Sequence, residues 1–343
     1  MHAALPRHRS FRSVAAAAAA LLVLSVAGCT SPPEPPDPPS PTATTTGPPP
    51  APGDVRIAAV GDMNGPKTTK ADSPSGKNGA AISELVQNNE VDAFLGLGDF
   101  QYDIAQCEDY VEYWTKLWGG TMPKLYWVSG PSHDWRPGRN EDLEKFMNGE
   151  CPGSEAKAAV NQERGFTGNG EPYSKDFGNW HFAFLSSAQW RYDTAKAKEL
   201  TKWLDDDLAA AKAAGKHLAV VHHEPYFTSD TNEHERAKNH KPWVDVMWKH
   251  RVRLTLSGSQ HNYERSCPVN NEDECVDDGM TAFQVSTGGI GLRSFLSDPS
   301  YIEKRFSDTH GFLRMTLRED GSFDWNFVPT TGSSTDSGTR SAP

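Results

Sequence analysis

The chain has 343 residues, enough for one large domain or two small ones, and its ten Trp suit a substantial core. Its formal charge is −11, from 34 Lys and Arg against 45 Asp and Glu; without residues 1–28, which carry only Arg7, Arg9 and Arg12, 31 basic residues face 45 acidic ones, or −14. Such a surface is a poor general partner for nucleic acid or anionic lipid.

Residues 1–28 read as an export signal. Arg7, Arg9 and Arg12 precede the apolar stretch Val14 to Ala27, which is short for a transmembrane span. VAGC, Val26 to Cys29, resembles a bacterial lipobox. That resemblance implies cleavage before Cys29, lipidation of its thiol, and anchoring at the outer face of the bacterial cytoplasmic membrane. Residues 29–53 are this Cys and a Pro-rich run, SPPEPPDPPSPTATTTGPPPAPG, which predicts an extended, semi-rigid tether.

Residues 54–330 carry the pattern of a folded domain. Strands near Val55–Val60, Ala93–Leu97 and Leu125–Val128 alternate with helices near Asn78–Gln87, Cys107–Trp118 and Glu141–Met147. A strand at His181–Leu185 leads to a helix at Ala195–Ala214, a strand at Leu218–Val221, a helix at Lys241–His250 and a strand at Val252–Leu256. Trp243, Met247 and His250 at helical spacing predict a core face. Strands near Thr281–Ser286, Phe312–Leu317 and Phe323–Phe327 follow, linked by Gly-rich turns. The pattern predicts an α/β chain of two packed mixed β-sheets flanked by helices. The tail, residues 331–343, is Ser, Thr and Gly rich and reads as disordered.

With Cys29 set aside, Cys107, Cys151, Cys267 and Cys275 remain, an even count that favours disulfides in an exported chain. Three pairings are possible. The short loop SCPVNNEDEC favours Cys267–Cys275 and leaves Cys107 with Cys151; no CxxC spacing points to zinc.

Five apolar runs end alike. VRIAAVGDMN ends at Asp62, LGLGDFQYD at Asp99 and Tyr102, LYWVSGPSHDW at His133 and Asp134, HLAVVHHEPY at His222 and His223, and VRLTLSGSQHNYER at His261. An Asp after Gly is ordinarily a turn residue or a helix N-cap. Five strand ends that each deliver a metal-binding or proton-carrying side chain instead predict one shared site, where open α/β sheets keep their ligands. Carboxylate, imidazole and phenol together suit iron, zinc or manganese. Two such cations bind phosphoryl oxygens and generate hydroxide near neutral pH, the nucleophile for phosphate-ester hydrolysis. A small phosphorylated substrate would also need cations inside the site to offset the acidic field.

GDMN at Gly61, GDFQY at Gly98, GPSHDW at Gly130, VVHH at Val220 and GSQHNYER at Gly258 form an ordered set that resembles the calcineurin-like metallophosphoesterases, most of all the purple acid phosphatase branch. The resemblance covers residues 57–265, with weaker likeness in FQVSTGGIGL and GFLRMTLREDGSFDWNFVP. It implies a four-layer α-β-β-α sandwich and surface phosphomonoesterase activity on a small phosphorylated substrate. It further implies that Asp62, Tyr102 and His261 hold a first metal, iron, and that Asp99 bridges to a second, which His223 also binds. Many relatives carry a His at the place of Asn64; the Tyr102 phenolate substitutes for it and favours ferric iron. His133 matches the catalytic His that contacts phosphate and protonates the leaving group, with Asp134 orienting it.

The second site departs from the family. Ser132 stands at the Asn ligand's place and Ser259 at the first His of GHxH, so zinc, manganese or iron there is weakly held. The alternative reading is a degenerate, non-catalytic lipoprotein that binds a phosphorylated ligand. His222, next to His223 on a strand, points the other way and reads as a packed or hydrogen-bonded residue behind the site. His234 and His240 in NEHERAKNHK read as solvated, at most rimming the pocket, and Arg265 as a structural ion-pair partner. Trp135, Arg136 and Arg139 follow the catalytic loop, where they shape substrate entry. Neither GPSHD nor SGSQH has the strand, elbow and helix order of a Ser hydrolase.

Overall fold

The computed structural model of the protein describes residues 50–131, 133–138, 141–154 and 171–343. The export signal, Cys29, most of the tether, Ser132 and Arg139 lie outside the described residues. In chain order the strands are β1 (Val55–Val60), β2 (Ala93–Gly96), β3 (Leu125–Trp127), β4 (Tyr173–Phe177), β5 (Trp180–Phe184), β6 (His217–Val221) and β7 (Leu254–Ser257). Then follow β8 (Tyr263–Val269), β9 (Met280–Val285), β10 (Ile302–Phe306), β11 (His310–Leu317), β12 (Phe323–Thr331) and β13 (Ser337–Arg340).

They make two mixed sheets, in the orders β13-β12-β11-β1-β2-β3 and β10-β8-β9-β7-β6-β5-β4. Strands β1, β2 and β3 run parallel in the first; β5, β6, β7 and β9 run parallel in the second. Their near-continuous apolar runs fit strands covered on both faces. Ile57 and Phe94 of the first sheet share one core with Phe182, Val221, Leu256 and Phe283 of the second. The helix Thr194–Ala213 sets Leu200, Leu204 and Leu208 four residues apart and packs this stripe, with Trp243 and Met247 of the helix Lys241–His250, on the second sheet's outer face. Two mixed sheets flanked by helices are thus the architecture.

The alternation along β6 decides the fate of the two histidines that follow it. Leu218 and Val220 join the outer, helix-covered core, whereas Ala219 and Val221 join the core between the sheets. Continued past the strand, this alternation sends His222 outward and His223 inward.

The helix predicted from Asn78 begins four residues earlier, at Pro74, because the Ser73 side chain accepts the Gly76 N–H as N-cap and Pro74 occupies the first turn. The predicted Cys107–Trp118 helix is interrupted by a π-helical turn, Tyr110–Trp114. The tail corrects the expectation of disorder. Ser337–Arg340 pairs with β12 as an edge strand, and the buried Asp336 accepts hydrogen bonds from Tyr263 Oη at 2.8 Å, Arg265 Nε at 2.8 Å and Trp325 Nε1 at 3.0 Å. A polar composition hides one buried carboxylate with three partners. Both disulfides are present, Cys107–Cys151 and Cys267–Cys275. No helix of the described residues is long and apolar enough to cross a membrane.

Candidate metal centre

The C-terminal ends of β1, β2, β3, β6 and β7 supply the loops of one buried site at the edge of the space between the sheets. Asp62, Asp99 and His223 offer ligand atoms that all lie within 4.8 Å of one another. The Tyr102 hydroxyl lies 2.9 Å from Asp62 Oδ1, 2.7 Å from Asp99 Oδ2 and 3.0 Å from His261 Nε2. His261 Nε2 is 3.3 Å from Asp62 Oδ1, and His223 Nε2 is 3.4 Å from Asp99 Oδ2.

Backbone carbonyls orient both imidazoles. Leu97 O accepts from His223 Nδ1 at 2.6 Å and Gly291 O from His261 Nδ1 at 3.0 Å, so in each ring the nitrogen turned to the carboxylates is Nε2. Holding the loops this way requires a backbone that most residues avoid: Asp62, Asp99, Ser259 and His261 have φ of 58°, 53°, 79° and 54°. Each costs on the order of 1–3 kcal/mol, a strain found where function dictates geometry.

The donor set fits a metal. One phenol proton is shared among three acceptors, and Asp99 Oδ1 is buried without a hydrogen-bond partner. Ligand atoms about 3 Å apart suit a cation with bonds of roughly 2.0–2.2 Å. Gly130 keeps the surroundings of Asp99 Oδ1 open, since a Cβ there would come within 2.2 Å of that oxygen and 2.8 Å of His223 Nε2. The electrostatics agree. Burial disfavours a charged His223, yet the Asp99 and Asp62 carboxylates outweigh it and push its pKa up to about 10. Burial and the same two carboxylates hold the Tyr102 phenol well above its ordinary range, so its ionisation requires a cation beside it.

The structure therefore brings together Asp62, Asp99, Tyr102, His223 and His261. His133 lies at their margin, its ring centroid 4.2 Å from that of Tyr102 and its Nδ1 on the Asp103 carbonyl. Asp134 corrects the orienting role expected of it. Its carboxylate instead accepts the backbone N–H groups of Asp99 at 2.5 Å, Phe100 at 2.9 Å and Gly130 at 2.9 Å, bracing two ligand loops against each other. Burial and the Asp99 charge raise its pKa, while the Gly130 and Phe100 N–H groups pull it back. Ser259 donates its N–H to Asp62 Oδ2 at 2.9 Å and is buried.

Asn64 is engaged by Gln101 and Ser75. His222 sits behind the site, between the Glu224 carbonyl at 2.9 Å and Thr255 Oγ1 at 3.2 Å, and burial pushes it down to about 4. His240 corrects the expectation of a solvated residue, being buried with its ring centroid 4.9 Å from that of Trp243. His234 does rim the site, 6.4 Å from His261 by ring centroids. Arg265 is a structural ion pair with Asp336 and Glu303. Sequence reasoning missed the carbonyls of Leu97 and Gly291, which no residue type announces, and the bracing by Asp134, whose type alone was legible.

No protein-family model matches the chain. It is 23% identical over 260 residues to the probable inactive purple acid phosphatase 27 of Arabidopsis thaliana, an alignment covering 68% of this chain and 40% of the relative's length. Among solved structures, a purple acid phosphatase from yellow lupin (Lupinus luteus) seeds superposes with a TM-score of 0.62 at 20% identity, covering 83% of this chain and 53% of that one. A dimetal phosphatase from Danio rerio superposes with a TM-score of 0.53 at 12% identity, covering 84% and 99%. The chain is thus similar in sequence to purple acid phosphatases, over less than half of their length, and shares its fold with a purple acid phosphatase and a dimetal phosphatase.

Proposed function

We propose that this domain is a phosphoester hydrolase acting on small phosphomonoesters, exported and tethered through Cys29 by the lipobox-like VAGC and the Pro-rich run after it. The observation that carries the hydrolytic reading is the convergence of Asp62, Asp99, Tyr102, His223 and His261 around the unpaired Asp99 Oδ1. Asp62, Tyr102 and His261 would hold a first metal, iron in this reading, Asp99 would bridge, and His223 would hold a second. When bound, such cations supply Lewis acidity to a phosphoryl oxygen and acidify water. The protein's own part is orientation and proton transfer. The Leu97 and Gly291 carbonyls fix the imidazoles, Asp134 braces the Asp99 loop, and His133, whose Nδ1 meets the Asp103 carbonyl, would exchange its proton at Nε2 with the leaving group.

The test is metal analysis of the purified protein alongside hydrolysis of a chromogenic phosphomonoester. We expect at least about one tightly bound metal per chain and turnover. Absence of both, after addition of iron, zinc or manganese, would defeat the proposal.

A second reading, phospho-ligand binding without turnover, is favoured by Ser259 at a ligand position and by the name of the Arabidopsis relative. Ser132→Asn combined with Ser259→His separates the two. A steep rise in activity with metal content approaching two per chain would identify a lost second site.

A further inference from the structure

A cleft of about 620 Å³ borders the metal centre at the buried His261, with Glu233, Ile290, Leu292, Arg293 and Leu296 among its other walls. Its backbone is registered on that histidine: Arg293 N–H donates to the His261 carbonyl at 2.8 Å, and the Gly291 carbonyl accepts from the His261 ring at 3.0 Å. The backbone from which Arg293 projects is therefore held by the ligand loop itself. That side chain is only 15% exposed. Its Nη2 meets Glu233 Oε2 at 2.5 Å, but its Nη1 is buried with no hydrogen-bond partner.

A buried guanidinium N–H without an acceptor has given up its hydrogen bond to water and gained none in return. An anion that enters the cleft and displaces the Glu233 carboxylate frees the guanidinium to turn toward it, and the fork then offers that anion both nitrogens. Glu233, 56% exposed, stands at the rim as a competitor that an incoming anion can displace. Leu296, 69% exposed, and Ile290 add apolar surface to the same cleft, suited to a carbon skeleton. In a chain whose domain is strongly acidic, Arg293 is a cation placed where a second negative group of a substrate would otherwise be repelled.

We propose that Arg293 is a specificity-determining residue. It receives a second anionic group, carboxylate or phosphate, on the alcohol portion of a phosphomonoester whose first phosphate lies at the metal centre. This deepens the hydrolase reading and rests on it.

The test uses phosphonates, which bind without being hydrolysed, titrated by calorimetry into the metal-loaded full chain. Phenylphosphonate is compared with para-carboxyphenylphosphonate and para-phenylenebisphosphonate. At least one of the doubly anionic ligands binds about tenfold tighter or more, the tighter one identifying the second group as carboxylate or phosphate. In Arg293→Met the ratio falls to within about twofold. Equal affinities in the native chain, or a ratio that survives Arg293→Met, overturn the assignment of Arg293, while turnover of phenyl phosphate still decides the hydrolase reading separately. No binding of any phosphonate together with no turnover overturns both. Should Arg293→Met not fold, Glu233→Gln decides: relief of the competing carboxylate raises the ratio, and an unchanged or lower ratio overturns the proposal.

Discussion

Asp134 Oδ2 accepts the backbone N–H of Asp99 at 2.5 Å, so the carboxylate after the predicted catalytic histidine grips the loop of the predicted bridging ligand. The same oxygen takes the Gly130 N–H and the other oxygen takes that of Phe100. The loops after β2 and β3 are thereby one unit.

Asp134→Asn tests that unit. The amide presents an N–H₂ toward backbone donors, so at least one buried N–H loses its acceptor and stability falls by about 1–3 kcal/mol. Metal affinity falls about 10–100-fold, because the groups behind metal ligands set their geometry. Thermal melting and metal titration read the two effects; a variant with native melting temperature and native metal affinity would show that the brace is idle.

Tyr102 is testable by colour. With iron bound, a phenolate ligand gives visible charge-transfer absorption, and Tyr102→Phe is expected to abolish the band while iron still binds through Asp62, Asp99 and His261. A band that persists in Tyr102→Phe places the phenol outside the coordination sphere.

The strand ends were legible because VRIAAV, AFLG and HLAVV are largely apolar on both faces and stop at Gly or at a histidine pair. Alternation along β6 was enough to turn His222 away from the site. Other features were hidden for physical reasons. β8, YERSCPV, does not read as a core strand, because Glu264 is buried only by virtue of bonds from Thr228 and Ser229, far away in sequence. β4 is a half-exposed edge with a polar sequence, YSKDF. The left-handed backbone at Ser259 follows no residue preference; it is imposed by the loop it shares with His261.

Asp336 gives the tail its anchor, and Asp336→Ala measures it. The change strips Arg265, Tyr263 and Trp325 of a shared acceptor. The loss should be about 3 kcal/mol, the low end for breaking a buried pair, because Glu303 keeps a hold on Arg265. Denaturant unfolding reads it; a change below about 0.5 kcal/mol, usual for surface substitutions, would mean the tail contributes nothing.

His181 makes stability depend on pH at a distance from the metal site. Burial lowers its pKa, but hydrogen bonds from its two nitrogens to Asp207 at 2.8 Å and Asp176 at 2.7 Å outweigh burial, and the folded pKa is raised. The folded protein thus binds the proton more tightly than the unfolded chain. The resulting stabilisation is fully present below the unfolded value of about 6.5 and is lost as pH rises through the folded pKa. His181→Gln retains one hydrogen bond and no charge. The native advantage over this variant in denaturant midpoint should be largest near pH 5.5–6, where the imidazolium persists in both states, and should shrink steadily above neutrality. An advantage that is flat with pH, or grows as pH rises, would mean that His181 is held neutral between its two carboxylates.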